Sequence, residues 1–200
     1  MTRKDDKEET LMNKTKRKIF ETSMKLFAEK GYEATSVEEI TAIVGVAKGT
    51  LYYHFNSKEE IFNFLVEEGM KLLKNSIAIK TSKVNSYIDK LRAIILIQIK
   101  VIVKYENLIT IVLSQIWGNE ERHEKCRGYV FDYVKTIEEI LKEGMEKGEI
   151  VKGDPEVMAS GIFGLTCSCL IYKLKAKERI DVTKVYTEFN NSVIRGFIAD

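Results

Sequence analysis

The stretch from Ser36 to Lys58, which reads SVEEITAIVGVAKGTLYYHFNSK, constrains the fold more than any other part of the chain. Its first half has apolar residues at helical spacing and opens with a capping-box pattern, Ser36 followed three residues later by Glu39. Gly45 stands where the chain must turn sharply, at a positive φ that glycine adopts most easily. A second short helix is predicted from about Lys48 to Phe55. Two short helices joined by such a turn indicate a helix-turn-helix.

The outer face of the second predicted helix is dense in hydrogen-bonding groups. No Asp or Glu occurs from Thr41 to Lys58, although 31% of the whole chain is charged. A surface that meets DNA excludes carboxylates, because phosphates repel them, while Lys and Thr approach base edges and glycine lets the backbone come close. An amphipathic helix with a solvated basic face is the alternative. We expect base or groove contacts from Lys48, Gly49, Thr50 and Tyr53, and phosphate contacts from Thr35, Ser36, Tyr52, His54 and Lys58.

The chain resembles the TetR/AcrR family of transcriptional regulators from about Ile19 to Ile61. The resemblance implies an all-α fold of about nine helices, with a helix-turn-helix DNA-binding domain at 12–56 and a ligand-binding and dimerisation domain at 57–200. Ala47 stands where the family usually has a capping Ser, which weakens the start of the second helix by about 1 kcal/mol. The matching residues keep fixed spacings across three predicted helices and include Ile19, Leu26, Phe27, Gly31, Tyr32, Thr35, Ile40, Gly45, Val46, Gly49, Thr50, Leu51, Tyr52, His54, Phe55 and Lys58.

Composition is consistent with a soluble, cytoplasmic helical protein. The chain has one proline in 200 residues, and its first residues are charged with no apolar core of the signal-peptide kind. Residues 1–60 hold eleven Lys/Arg and eleven Asp/Glu, so DNA binding must depend on local segregation of charge. The most apolar run, 94–103, is too short to span a membrane. Residues 1–11 are polar, mixed in charge and aperiodic, which predicts a disordered arm. The odd number of cysteines predicts reduced thiols.

The C-terminal two thirds of the chain carry two further expectations. The predicted helices from Tyr87 to Tyr133 are apolar with few polar interruptions, which favours a pocket for an apolar or amphipathic ligand. The last two helices, about 155–177 and 182–198, each have an apolar or small-residue face suited to a four-helix dimer interface, although packing within one chain is the alternative. The expected pocket residues are Gln98, Ser114, Gln115, Trp117 and Tyr133, and the expected dimer contacts are Gly161, Gly164, Ser168, Phe189 and Val193.

No catalytic pattern accompanies these features. His123 and Cys126 are spaced like a metal pair but have no further ligand cluster, so we expect neither a metal nor another cofactor. Nucleophile–base pairs and phosphate-binding loops do not stand out, which argues against a small helical enzyme. The sequence therefore predicts a homodimeric DNA-binding regulator, most often a repressor in families like this one, released from a near-palindromic operator by a hydrophobic or amphipathic small molecule. The alternative is an architectural DNA-binding protein without an effector.

Overall fold

The structure, a computed structural model, describes the backbone of residues 4–176 and 179–199 and, apart from Lys175, the side chains from Lys14 onward. Within these residues the chain forms nine α-helices and one short 3-10 helix, with a single isolated bridge between Ile150 and Ile198. The all-α prediction is therefore confirmed. The helices are α1 (Lys4–Lys30), α2 (Val37–Val44), α3 (Lys48–His54), α4 (Lys58–Thr81), α5 (Tyr87–Lys104), α6 (Glu106–Ser114), α7 (Glu121–Glu146), α8 (Pro155–Lys175) and α9 (Val182–Ser192), followed by the 3-10 helix Ile194–Phe197.

The N-terminal end of α1 differs from the sequence prediction. Residues 4–11 continue the helix instead of forming a disordered arm, while residues 1–3 lie outside the described part. Once a helix is nucleated, each added residue costs little, and Lys, Glu, Leu and Met are all good helix formers. A segment of mixed charge without an apolar stripe is not expected to pack on the core, but it can still extend an existing helix.

The helices divide into two compact units that do not coincide with the predicted boundary at 56/57. The first unit contains the described residues up to Glu67 together with Asn107–Cys126. The second contains Glu68–Glu106 and the described residues from Arg127 onward. The sequence marks a boundary at the start of α4, where Ser57 caps the helix, but α4 itself runs on for several turns before the first unit ends.

The core of the first unit is built from one apolar stripe of each of its helices. Ile19 and Phe27 of α1, Leu51 of α3 and Phe62 of α4 are almost fully buried, and Phe55 closes the end of α3. Aromatic rings pack edge to face among them, with the Phe27 and Phe62 centroids 6.1 Å apart. Burial of this kind holds α2 and α3, which are too short to be stable alone, in a fixed position.

In the second unit α5 is the central helix and packs against α8 and α9. Leu91, Ile94 and Ile99 of α5 are fully buried, as its all-round apolar sequence predicts. The start of α5 is capped by a carboxylate from a distant loop, because Glu149 Oε2 accepts from the Tyr87 N–H at 2.7 Å and from the Ser86 hydroxyl at 2.9 Å. Apolar packing around α5 and the hydrogen-bonded cap at its first residue thus fix this helix within the second unit.

Candidate functional site

The outer surface of α3 is exposed as a continuous patch. Leu51 points into the core with none of its surface accessible, which fixes the rotation of the helix. That rotation leaves exposed the five predicted groove and phosphate residues Lys48, Gly49, Thr50, Tyr52 and Tyr53, while His54 is half-buried. The structure therefore brings the main part of the predicted DNA-contacting set onto one accessible surface.

Local capping positions this surface as the sequence indicates. Ser36 caps α2, with its hydroxyl accepting from the Glu39 N–H at 3.1 Å, and Gly45 ends α2 at φ 77°. The turn is closed by the Gly45 and Val46 N–H groups, which both donate to the Thr41 carbonyl at 2.9 and 3.1 Å. Ala47 occupies the N-cap of α3 without a side-chain bond, so α3 lacks the stabilisation that a capping hydroxyl provides.

Two predicted phosphate contacts have other partners in the structure. Thr35 is 1% exposed and donates its hydroxyl to the Gly31 carbonyl at 2.9 Å, so its side chain is part of the core. Lys58 turns its ammonium inward, donating to the carbonyls of Tyr32 at 2.9 Å and Thr35 at 3.0 Å, and lies 4.3 Å from the Tyr32 ring centroid. These carbonyls belong to the turn after α1, and a lysine that reaches them cannot be recognised from its position at a helix start alone.

An acid that the sequence reading did not include lies beside α3. Glu38, in the first turn of α2, accepts a hydrogen bond from Lys48 Nζ at 2.5 Å. This hydrogen bond raises the pKa of the Lys48 ammonium and lowers the pKa of the Glu38 carboxyl. The pKa of the His54 imidazole is lowered, mainly by partial burial and to a smaller extent by the positive charge of Lys16. His54 is therefore a neutral donor or acceptor at neutral pH.

A second feature that the sequence did not reveal is the buried cation Arg122 at the start of α7. Its guanidinium donates to Gln115 Oε1 and Glu33 Oε1, each at 2.9 Å, pairs with Glu120 and lies 3.9 Å from the Tyr32 ring centroid. Only 8% of Arg122 is exposed. An arginine among other charged residues at a helix start has no local signal of burial, because Glu33 and the Tyr32 ring come from a distant part of the chain.

The predicted pocket residues fall in both compact units. Gln98 and Tyr133 are buried together in the second unit, where the Tyr133 hydroxyl donates to Gln98 Oε1 at 2.9 Å. The Gln98 amide donates to the Phe163 carbonyl at 3.3 Å and lies 3.5 Å from Cys167 Sγ. Burial raises the pKa of the Cys167 thiol to about 12 and also raises that of the Tyr133 hydroxyl. This is an uncharged polar cluster inside an apolar core.

The other three predicted pocket residues belong to the first unit and have different surroundings. Ser114 donates to the Ile111 carbonyl at 2.8 Å within its own helix, and Gln115 accepts from Arg122. Trp117 is 83% exposed, so it lines no enclosed pocket in this structure. The prediction placed residues 114–117 among the apolar helices from Tyr87 to Tyr133, but α6 ends at Ser114 and the chain then enters the turn before α7.

The predicted dimer residues are also divided. Gly161, Gly164 and Ser168 of α8 are exposed on one face, where Leu165 and Tyr172 are exposed as well. Phe189 of α9 is only 8% exposed because it packs within its own chain, and Val193 is half-buried beyond the end of α9. An apolar stripe does not distinguish a helix that packs on its own subunit from one that packs on a partner.

The apolar composition of α8 is also compatible with a membrane-spanning helix. The segment Pro155–Leu174 is long and apolar enough by composition to cross a membrane, with 28% of the window buried. The sequence reading considered only the run at 94–103 for such a role. Ala159, Ile162 and Leu170 of α8 are buried within the second unit, so one side of the helix serves the protein core. The other side exposes the large apolar side chains Val157, Leu165 and Tyr172 among its small residues, so core packing accounts for only part of the apolar composition.

Surface grooves occur in the second unit. One of about 360 Å³ is lined by Cys169, Lys184 and Phe189, among others, and another of about 250 Å³ lies between α4 and α5. None of the five predicted pocket residues lines either groove. In the part of the chain that the structure describes, no three His, Cys, Asp or Glu residues are placed to hold a metal ion. His123 and Cys126 have other partners, the Glu120 N–H and the Val112 carbonyl.

Comparison with known proteins connects this geometry with a family. Residues 19–65 match the family described as "Bacterial regulatory proteins, tetR family", and residues 84–169 match a tetracycline-repressor-like C-terminal domain. A Bacillus subtilis protein described as an uncharacterized HTH-type transcriptional regulator, YfiR, is 27% identical over 151 residues, 72% of this chain and 71% of that protein. The Staphylococcus aureus negative regulator IcaR is 40% identical over 76 residues, 38% of this chain and 41% of its own length.

Solved structures extend the similarity over almost the whole chain. A Clostridium perfringens protein described as a candidate fatty acid metabolism regulator is 33% identical, with a TM-score of 0.85 over 92% of this chain and 100% of that one. The structure of AibR with isovaleryl coenzyme A and operator DNA is 25% identical, with a TM-score of 0.74 over 88% of this chain and 95% of that one. These matches cover both the helix-turn-helix and the helical domain that follows it. The chain belongs to the TetR family of bacterial transcriptional regulators.

Proposed function

We propose that the protein is a homodimeric repressor that binds a near-palindromic operator and is released from it by a fatty acyl thioester. The observation that carries the DNA-binding part is the exposed outer surface of α3, held in place by the buried Leu51 and by the Gly45 turn. Two such surfaces related by a two-fold axis fit successive major grooves of one operator.

Within this proposal the DNA contacts are revised from the structure. Lys48, Gly49, Thr50 and Tyr53 meet base edges or the groove, and Ser36, Tyr52 and His54 meet phosphates. Thr35 is assigned to the core, because its hydroxyl is buried and already donates to a carbonyl. Lys58 is assigned to the turn after α1, whose carbonyls it binds.

The dimer contact is assigned to the exposed face of α8. Val157, Leu165 and Tyr172 are exposed there by 67%, 54% and 75%, with Gly161 and Gly164 between them. The glycines let a partner helix approach closely, and the large apolar side chains on either side of them are removed from water when this face is buried against a partner. Phe189 is excluded from the contact because its own subunit already buries it.

The effector class follows from the core cluster and from relatives. The Gln98 oxygen accepts from the Tyr133 hydroxyl at 2.9 Å, while the Gln98 NH2 group donates to the Phe163 carbonyl at 3.3 Å and to the Cys167 sulfur, a weak acceptor, at 3.5 Å. A ligand carbonyl that enters this core therefore finds a donor whose present partners are weak. Few polar groups in an apolar region select an apolar ligand oriented by one or two hydrogen bonds. The fatty acid assignment of the Clostridium perfringens protein and the isovaleryl coenzyme A bound to AibR favour an acyl thioester.

The test begins with a duplex selected from a random library by the wild-type protein and labelled with a fluorophore. Anisotropy gives its Kd in the presence of acetyl, octanoyl or palmitoyl coenzyme A, with free coenzyme A and free palmitate as controls. We expect at least one acyl thioester to weaken binding by about tenfold or more, in the usual range of allosteric coupling, and free coenzyme A to have no effect. If no thioester changes the Kd, the effector assignment is wrong, while sedimentation and footprinting still test the dimer and the operator.

A further inference from the structure

The pair between Glu38 and Lys48 places an acid at the edge of the surface that α3 offers to DNA. Lys48 is the first residue of α3, and its ammonium lies 2.5 Å from Glu38 Oε1 and 5.8 Å from the Tyr52 ring centroid. Glu38 is exposed and hydrogen-bonded to this lysine, so a duplex that docks through Lys48 comes close to the carboxylate. The free protein therefore holds the Lys48 ammonium in an ion pair.

DNA binding has to disturb this pair. A phosphate that approaches Lys48 also approaches the Glu38 carboxylate, and two anions that share one ammonium repel each other. The pair is exposed to water and therefore weak, so Lys48 can exchange Glu38 for another acceptor. A phosphate that takes its place is repelled by the nearby carboxylate, whereas in the major groove guanine offers two uncharged acceptors, O6 and N7, with defined direction.

We propose that Glu38 sets the DNA specificity of this regulator by withholding Lys48 from the phosphates of non-operator DNA. Glu38 lowers the affinity for any duplex that offers Lys48 only phosphates. An operator overcomes the ion pair because its base edges replace the carboxylate as acceptor. This inference rests on the proposed docking of α3, since it requires Lys48 to face DNA.

The chain offers a matched control one residue away. Glu39 occupies the same first turn of α2, and its carboxylate pairs with Lys30 of α1 instead of with α3. Glu38→Gln and Glu39→Gln therefore each remove one charge from the first turn of α2, but only Glu38→Gln frees the Lys48 ammonium. Lys48→Gln, alone and combined with Glu38→Gln, completes a double-mutant cycle that isolates the pair.

The experiment measures the Kd of each variant for a selected operator duplex and for a duplex of unrelated sequence, over a range of salt concentrations. For the unrelated duplex, Glu38→Gln should steepen the salt dependence by about one released counter-ion, so that its gain over wild type shrinks about threefold between about 50 and about 200 mM salt. Operator affinity should change less, so the ratio of specific to non-specific affinity falls. In the Lys48→Gln background the effect of Glu38→Gln should disappear.

Each other outcome overturns the proposal in a distinguishable way. If Lys48→Gln leaves operator affinity and salt slope unchanged, α3 does not dock through Lys48, and both the docking and the role of Glu38 are wrong. If Lys48→Gln weakens binding but Glu38→Gln acts no differently from Glu39→Gln, the docking stands and the role of Glu38 fails. If Glu38→Gln weakens the operator complex selectively, Glu38 itself contacts a base. Circular dichroism on all variants confirms that helix content is retained.

Discussion

Replacing Lys58 by methionine separates two roles for this residue, a cap inside the protein and a phosphate contact outside it. Methionine keeps the length and the apolar stem of the side chain but removes the ammonium. The structure shows that the ammonium donates to the carbonyls of Tyr32 and Thr35 and lies over the Tyr32 ring. Lys58→Met leaves the Thr35 carbonyl to water, while the Tyr32 carbonyl keeps the Thr35 N–H as a donor at 3.3 Å.

The contacts give the size of the effect. A hydrogen bond from a charged donor contributes about 1.5–3 kcal/mol when it is well shielded, and a cation over an aromatic ring adds about 0.5–1 kcal/mol at an accessible site. Lys58 is only half-buried, so water replaces part of what is lost. We therefore expect Lys58→Met to lower the free energy of unfolding by about 2 kcal/mol, which corresponds to about 4–8 °C in Tm for a chain of this size.

Denaturant unfolding followed by circular dichroism measures the loss, with Lys18→Met, a change at an exposed lysine of α1, as the control. Salt-dependent DNA binding is measured on the same two variants. The capping role predicts that Lys58→Met is less stable than the control and has an unchanged salt slope. The capping role would be refuted, and the phosphate contact supported, if Lys58→Met were as stable as the control and its DNA binding released about one counter-ion fewer in the salt titration.

Three further changes probe the second unit. Tyr133→Phe leaves the buried Gln98 oxygen without its donor and should lower the free energy of unfolding by about 2 kcal/mol, whereas Tyr53→Phe, at an exposed site outside the proposed dimer contact, should change it by less than about 0.5 kcal/mol in the same denaturant titration. Leu165→Glu places a charge on the exposed face of α8 and should convert the proposed dimer to monomer in equilibrium sedimentation at micromolar concentration; a persistent dimer would place the contact elsewhere. Burial raises the pKa of the Cys167 thiol from 9.0 to about 12, which lowers its thiolate fraction at mildly alkaline pH by about a thousandfold. Iodoacetamide should therefore alkylate Cys167 far more slowly in the folded protein than in denaturant, as measured by mass spectrometry of the peptide that contains it.

The parts of the fold that the sequence predicted correctly depend on signals close together in the chain. Ser36 caps α2 three residues before its partner amide, Gly45 takes the positive φ of the turn, and Asp154 with Pro155 starts α8. Each of these features involves residues within one helical turn, where residue type alone decides the geometry.

The parts that the sequence did not predict depend on which distant residue a side chain meets. Lys58 reaches carbonyls more than twenty positions earlier, and Arg122 binds Glu33 across an even longer separation. Composition shows that a residue carries a charge but not whether its partner is a carbonyl, a carboxylate or DNA. Phe189 illustrates the same limit for apolar residues, because its spacing fits either a dimer contact or the core that in fact buries it.

The acid-free stretch from Thr41 to Lys58 shows why charge segregation has to be judged in three dimensions. The turn at Gly45 folds α2 back beside α3, and this brings Glu38, ten positions before Lys48, to the edge of the surface that we propose binds DNA. An acid in the first turn of a helix stabilises that helix through its dipole, so α2 has a reason of its own to keep Glu38. The same carboxylate opposes phosphate at Lys48. Glu38→Gln should therefore slightly lower the free energy of unfolding while it raises the affinity for unrelated DNA. This loss of stability and gain in affinity are expected together because one carboxylate stabilises α2 and also opposes phosphate.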